Sequence, residues 1–132
     1  MRIAILGAGP AGLYLAYLIK RRRPDMDVAV IEQNAADATF GFGVVFSDRA
    51  LEFLREDDQE TYAAIAPLME SWNDITVVHR GERVVIDGVG FAAIGRLKLL
   101  QLLQERARSA GVAPAYGRVV RSLDELAGVD LI

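Results

Sequence analysis

Three glycines and one carboxylate have the spacing of a dinucleotide site. Gly7, Gly9 and Gly12 follow a short apolar stretch, and Glu32 follows a second one, twenty positions after Gly12. In such a turn the first glycine permits a sharp bend, the second lets the backbone approach a pyrophosphate, and the third lets helix and strand pack closely. A carboxylate at this distance can accept the ribose hydroxyls of an adenosine and disfavours a 2′-phosphate. The pattern predicts a site for an adenosine diphosphate group and argues against NADP in it.

The elements that must position these residues are a strand, a helix and a second strand. Alternating and continuous apolar residues predict strands at Arg2–Leu6 and Met26–Ile31, with a helix from Pro10 to Arg23 between them. Proline is favoured in a first helical turn, and the free N–H groups there bind anions. This order predicts an α/β, Rossmann-like FAD/NAD(P)-binding fold with a parallel sheet.

Further along the chain, the pattern predicts a β-hairpin insertion, two short helices and one longer helix. Ser47 is a good N-cap for the first short helix, and Gly111 follows the end of the longer one. Asp57-Asp58 is interpreted as a helix cap and His79 as a surface residue, so neither suggests a metal or catalytic site. The predicted elements are helices at 48–56, 59–70 and 97–109, hairpin strands at 75–79 and 83–86, and later strands at 115–120 and 129–132.

Composition limits the class of protein. The 132 residues carry 52% apolar residues, no cysteine and a net charge of −3. We therefore expect one domain over residues 1–132, located in the cytoplasm, without nucleic-acid, membrane or metal partners. Because the sequence stops inside its last predicted strand, we expect a fragment of a longer protein, with uncovered apolar surface that favours self-association.

Three segments resemble one enzyme family. Gly7–Gly12 with Glu32, the segment 39–48 (TFGFGVVFSD) and the segment 90–100 (GFAAIGRLKLL) are similar to group-A flavin-dependent aromatic hydroxylases of the para-hydroxybenzoate hydroxylase superfamily. The salicylyl-CoA and 2-aminobenzoyl-CoA monooxygenases are the best match, and violacein-pathway monooxygenases carry a segment similar to 39–48. The resemblance covers nearly the whole chain.

The resemblance implies a set of FAD-binding residues. Glu32 would hold the adenosine ribose, and Gln33 stands beside it where the family often has a basic residue. Arg96 would reach the ribose and diphosphate, Val119 would approach the adenine through its backbone, and the loop Gly41-Phe42-Gly43 would lie near the isoalloxazine. The residues implied for the diphosphate are Gly7, Gly9, Pro10, Ala11 and Gly12.

The resemblance also implies the chemistry of a longer parent protein. NADH or NADPH would reduce the FAD, and a flavin C4a-hydroperoxide would hydroxylate an aromatic substrate, including a CoA thioester. No side chain of this chain need then be a catalytic acid or base. Two family motifs, an Asp-Gly segment and a Gly-Asp segment that holds the ribitol, do not occur here. The alternatives are an NAD-binding dehydrogenase domain and a non-catalytic, truncated FAD-fold module.

Overall fold

The computed structural model describes residues 1–88 and 90–132, which form two compact units. The first unit comprises Met1–Phe40 and Leu99–Ile132, and the second comprises Gly41–Lys98. The single FAD-binding domain expected over residues 1–132 stays a prediction.

The first unit is built on two parallel strands joined by a helix. Strand β1 (Arg2–Leu6) pairs in parallel with β2 (Asp27–Ile31), and helix α1 (Pro10–Arg22) connects them. The hydrophobic cluster at the sheet contains Ala4, Ile31 and Leu126, with Val120 and Val129 packed against it. The predicted Rossmann-like fold with a parallel sheet is confirmed.

The sheet of the first unit gains one bridge at each edge. Ala115 pairs in parallel with Ile31, and Leu131 pairs in parallel with Ile3. The strands predicted at 115–120 and 129–132 are therefore single bridges. At the first of these, Gly117 adopts a φ of +69°, which interrupts the extended backbone after only two residues.

The second unit contains an antiparallel sheet, a hairpin and two helices. Strand β3 (Gly43–Ser47) leads into α2 (Asp48–Asp57), with the predicted cap formed by Ser47 Oγ, which accepts from Ala50 N. Its other elements are α3 (Gln59–Ile65), β4 (Glu70–Trp72), β5 (Ile75–His79), β6 (Glu82–Ile86) and β7 (Phe91–Gly95). The sheet order is β3-β7-β4, and β5 pairs with β6 as the predicted hairpin.

One helix predicted for the second unit was wrong, and its antiparallel sheet was not predicted. The helix expected at 59–70 ends at Ile65, because Pro67 cannot donate the next helical hydrogen bond, and a 3₁₀ turn and β4 follow. Strand β7 was not predicted at all. The long helix, α4 (Arg96–Ser109), begins one residue earlier than expected and directly after β7.

Candidate functional site

The glycine-rich turn has the geometry that its sequence requires. Gly7 has a φ of +109°, and its N–H donates to Ile31 O at 2.7 Å, which ties the turn to the end of β2. Gly9 is the N-cap of α1, with Pro10 as the first helical residue. A Cβ added to Gly12 would lie 2.0 Å from Gly7 O, so the close helix–strand packing assigned to this glycine is confirmed.

The Glu32 carboxylate is held between the glycine turn and the loop that follows β2. Oε2 accepts from Ala8 N at 2.9 Å, and Oε1 accepts from the backbone N and the side-chain Nδ2 of Asn34 at 2.8 and 2.7 Å. An ionised carboxylate offers about four lone-pair directions, so these three donors occupy most of them. Hydrogen bonds within the protein thus fix the Glu32 carboxylate in position without a ligand.

These contacts control the charge of Glu32. Burial by itself would raise the pKa of the Glu32 carboxyl, but the hydrogen bonds from Asn34 and Ala8 outweigh it and lower that pKa below its usual range. The carboxylate is therefore ionised at neutral pH and can accept a hydrogen bond from a hydroxyl group.

A small cleft opens where β1 and β2 end, and it has a volume of about 240 Å³. Such clefts, at the carboxyl ends of parallel strands, are the usual ligand sites of this fold class. It brings together four of the predicted cofactor residues, Gly7, Glu32, Gln33 and Val119. Its lining residues are Leu6, Gly7, Ile31, Glu32, Gln33, Arg118, Val119 and Val120.

Two residues of this region were not predicted. Asn34 binds the Glu32 carboxylate, and Arg118 lines the cleft and donates its backbone N–H to Glu32 O at 2.9 Å. Arg118 carries no local sequence signal, because its position depends on the fold bringing residues 115–118 beside the end of β2. The Asn34 contact is local, since it joins residues two positions apart.

The second unit contains the two remaining predicted cofactor residues. Gly43 begins β3, and Arg96 begins α4 after β7; Gly43 pairs with Gly95 in the sheet. The backbone N–H of Arg96 donates to Phe42 O at 3.1 Å, so the 41–43 loop and the start of α4 are joined.

Arg96 carries an unsatisfied donor. Its Nε is buried and has no hydrogen-bond acceptor among the described residues. A buried donor without a partner is costly, and a cation at a helix N-terminus gains nothing from the helix dipole. Both features favour an anionic ligand at this side chain.

Asp58 and His79 lie where the sequence predicted them, in a helix cap and on the surface. Asp58 caps α3 by accepting from Thr61 N, and His79 is exposed on β5. Trp72 packs against Phe91, with the two ring centroids 6.0 Å apart. Among residues 1–88 and 90–132, no three His, Asp or Glu side chains are grouped to hold a metal.

A larger, open depression lies within the second unit. It has a volume of about 870 Å³ and is lined by α2 with Tyr62 and Ser71. Its side chains carry both signs of charge, as in the Arg55–Glu52 pair, and none of them is a predicted cofactor residue.

Comparisons with known proteins support the fold in which the cleft lies. A family described as "NAD(P)-binding Rossmann-like domain" matches residues 5–41, which contain the glycine turn, β2 and Glu32. A solved structure, the tetrameric form of 2-methyl-3-hydroxypyridine-5-carboxylic acid oxygenase, superposes with a TM-score of 0.73 at 21% identity. The superposition covers 88% of this chain and 31% of the oxygenase chain, and it supports the fold.

Two curated relatives extend the similarity to the second unit. Salicyloyl-CoA 5-hydroxylase from Streptomyces sp. is 47% identical over all 132 residues. The resemblance to flavin-dependent aromatic hydroxylases is confirmed. 3-Hydroxy-4-methyl-anthranilyl-[aryl-carrier protein] 5-monooxygenase from Streptosporangium sibiricum is 27% identical over 95% of this chain. The chain spans 26% and 36% of the lengths of these two relatives, respectively.

The predictions on location and partners have less support. No helix among the described residues is long and apolar enough to cross a bilayer. The cytoplasmic location, the lack of nucleic-acid and membrane partners, and self-association stay predictions.

Proposed function

We propose that this chain binds the adenosine diphosphate end of FAD in the cleft beside Glu32. The observation that carries the proposal is the Glu32 carboxylate, which Ala8 N of the glycine turn holds at 2.9 Å beside this cleft. An ionised acceptor there suits the ribose hydroxyls, and Val119 offers its backbone to the adenine.

The glycine turn suits the diphosphate. The first N–H groups of a helix have no intrahelical acceptor, and they carry the positive end of the helix dipole. In α1 these groups belong to Ala11 and Gly12, since Pro10 has none. A Cβ on Gly9 would meet no atom within 4 Å, so the absence of a side chain there leaves room for a ligand.

The second unit supplies two further groups in this proposal. Arg96 brings a guanidinium whose buried Nε has no acceptor among the described residues, and phosphate oxygens are suitable acceptors for it. Gly43 begins the strand that follows the loop assigned to the isoalloxazine. By chemical type, each of these groups suits a part of an FAD molecule.

We further propose that the parent protein is an NAD(P)H-dependent aromatic monooxygenase. The two curated relatives are named for a CoA thioester and a carrier-protein thioester, which supports an aromatic acyl thioester as the substrate class. When bound, FAD accepts a hydride from NADH or NADPH and activates oxygen. The residues described here bind and orient the cofactor.

An NAD-binding domain is the second candidate, because the matching family is described by NAD(P). NAD and FAD share the adenosine diphosphate, so the glycine turn and Glu32 suit both. The similarity of the whole chain to salicyloyl-CoA 5-hydroxylase favours FAD.

Titration calorimetry tests whether the chain binds the adenosine diphosphate group that both candidates share. We expect the purified chain to bind ADP and FAD with affinities within about tenfold of each other, because both present the same group to the cleft. FMN, which lacks the adenosine, should not bind, and NADP should bind more weakly than NAD because its 2′-phosphate faces Glu32.

The chain by itself should bind FAD weakly and consume no NAD(P)H, since it lacks the segments implied for the ribitol and the substrate. A longer protein carrying this sequence should release FAD on heating. Release of NAD or FMN instead, or binding of FMN but not ADP to the chain, would contradict the proposed function.

A further inference from the structure

The strongest unassigned feature of the cleft is the side chain of Asn34. It lies two positions after Glu32, and its Nδ2 donates to Glu32 Oε1 at 2.7 Å. Its backbone N–H donates to the same oxygen at 2.8 Å. Asn34 therefore supplies two of the donors that hold this carboxylate, one from its backbone and one from its side chain.

Asn34 is itself fixed by the fold. Its backbone O accepts from Gly117 N at 3.1 Å, just before Arg118 and Val119 of the cleft. Glu32 is fixed in the same way, since its backbone N–H donates to Ala115 O and its backbone O accepts from Arg118 N. The loop after β2 and residues 115–118 thus form one hydrogen-bonded layer under the carboxylate.

We propose that Asn34 is a positioning residue for the adenosine site: its side-chain amide orients the Glu32 carboxylate toward the ribose. This inference rests on the proposed function for its ligand. With Oε1 occupied by both Asn34 donors, Oε2 is the oxygen with acceptor capacity to spare beside Ala8 N. The amide also stabilises the charged form of the acid, because an N–H donates a stronger hydrogen bond to an ionised carboxylate than to a neutral carboxyl group.

Other charged and titratable groups near Glu32 do not replace Asn34. Arg118 lines the same cleft, and its backbone N–H donates to the backbone O of Glu32, not to the carboxylate. Burial raises the pKa of the Tyr116 phenol, Arg108 acts in the opposite direction, and the negative charge of Glu32 raises it further. With its pKa raised, the Tyr116 phenol is neutral at neutral pH and adds no charge beside Glu32.

The experiment compares Asn34→Ala and Asn34→Asp with the native chain. Carbon-13 NMR follows the titration of the Glu32 carboxyl, and calorimetry measures ADP affinity between about pH 4 and pH 8. Asn34→Ala should raise the pKa of Glu32 and weaken ADP binding by about tenfold, the usual effect of one hydrogen bond to a charged group.

Asn34→Asp should reverse the pH dependence of binding. Two carboxylates at hydrogen-bond distance cannot both stay ionised without mutual repulsion, so ADP affinity should be poorest near pH 8. One shared proton restores a donor to Glu32, and affinity should improve as the pH falls toward about 5. The native chain should show the opposite trend, since protonation of Glu32 removes the negative charge that strengthens its hydrogen bonds to the ribose hydroxyls.

Asp37→Asn is the matched control. Asp37 lies in the same loop, is exposed and does not line the cleft. Asp37→Asn should leave the pKa of Glu32 unchanged and the ADP affinity within about twofold of native. It therefore controls for a change of charge in the loop. Urea unfolding of each variant tests that the chain is folded under the conditions of the two titrations.

The outcomes separate the inference from the proposed function. An unchanged Glu32 pKa in Asn34→Ala, or the native pH trend in Asn34→Asp, would overturn the role of Asn34. Failure of the native chain to bind ADP would overturn the proposed function, while the Glu32 titration would still decide whether Asn34 controls this carboxyl.

Discussion

Gly9→Val should abolish nucleotide binding while leaving the chain folded. Gly9 has an ordinary φ of −72°, and its Cβ position meets no atom within 4 Å, so the protein itself tolerates a side chain there. A branched side chain would occupy the space through which the diphosphate reaches the helix N-terminus. We expect at least a hundredfold loss of ADP affinity, or about 2.7 kcal/mol.

The measurement is ADP titration together with urea unfolding of the same sample. The unfolding free energy should fall by no more than about 1 kcal/mol, the range for a poor N-cap residue. Equal ADP affinity in the variant and the native chain would mean that the diphosphate lies elsewhere.

Gly12→Ala should have the opposite profile, with a large effect on stability. Its Cβ would lie 2.0 Å from the backbone oxygen of Gly7 and 3.2 Å from the Ile5 side chain. Backbone cannot move aside as a flexible side chain can, so α1 must shift away from β1. The usual overpacking cost of about 1–3 kcal/mol exceeds the gain of roughly 1 kcal/mol from replacing glycine by alanine in a helix.

The matched control is Gly9→Ala, which adds the same atom to the same turn without a clash. We expect Gly12→Ala to unfold at a clearly lower urea concentration than this control. Equal unfolding midpoints would show that the helix and strand do not require the close approach at Gly12.

Local signals explain what the sequence could predict. The β1–α1–β2 unit was predicted within one residue, because its apolar strands, proline and glycines act over short distances. The Ser47 cap and the β5–β6 hairpin follow from equally local rules. The residues proposed to bind the cofactor on the glycine turn and at Glu32 were predicted from signals of the same local kind.

Features that depend on distant pairing were missed. Strand β7 exists because β3 and β4 pair with its two edges, and its own segment, FAAIG, is short and rich in alanine. The contact from Ala8 N to Glu32 depends on the parallel register of β1 and β2. The role proposed for Asn34 depends on that arrangement too, because Asn34 would act through a carboxylate that Ala8 N also holds.

The most direct test of the central claim maps ADP onto the chain by nitrogen-15 amide chemical shifts. If the cleft beside Glu32 is the adenosine diphosphate site, the largest shifts should fall on the glycine turn, on Glu32 and on Val119. In Glu32→Ala the dissociation constant for ADP from the same titration should rise by about 10-fold to 150-fold, as expected for a lost hydrogen bond to a charged group. Shifts confined to the depression lined by α2, or unchanged affinity in Glu32→Ala, would contradict the account.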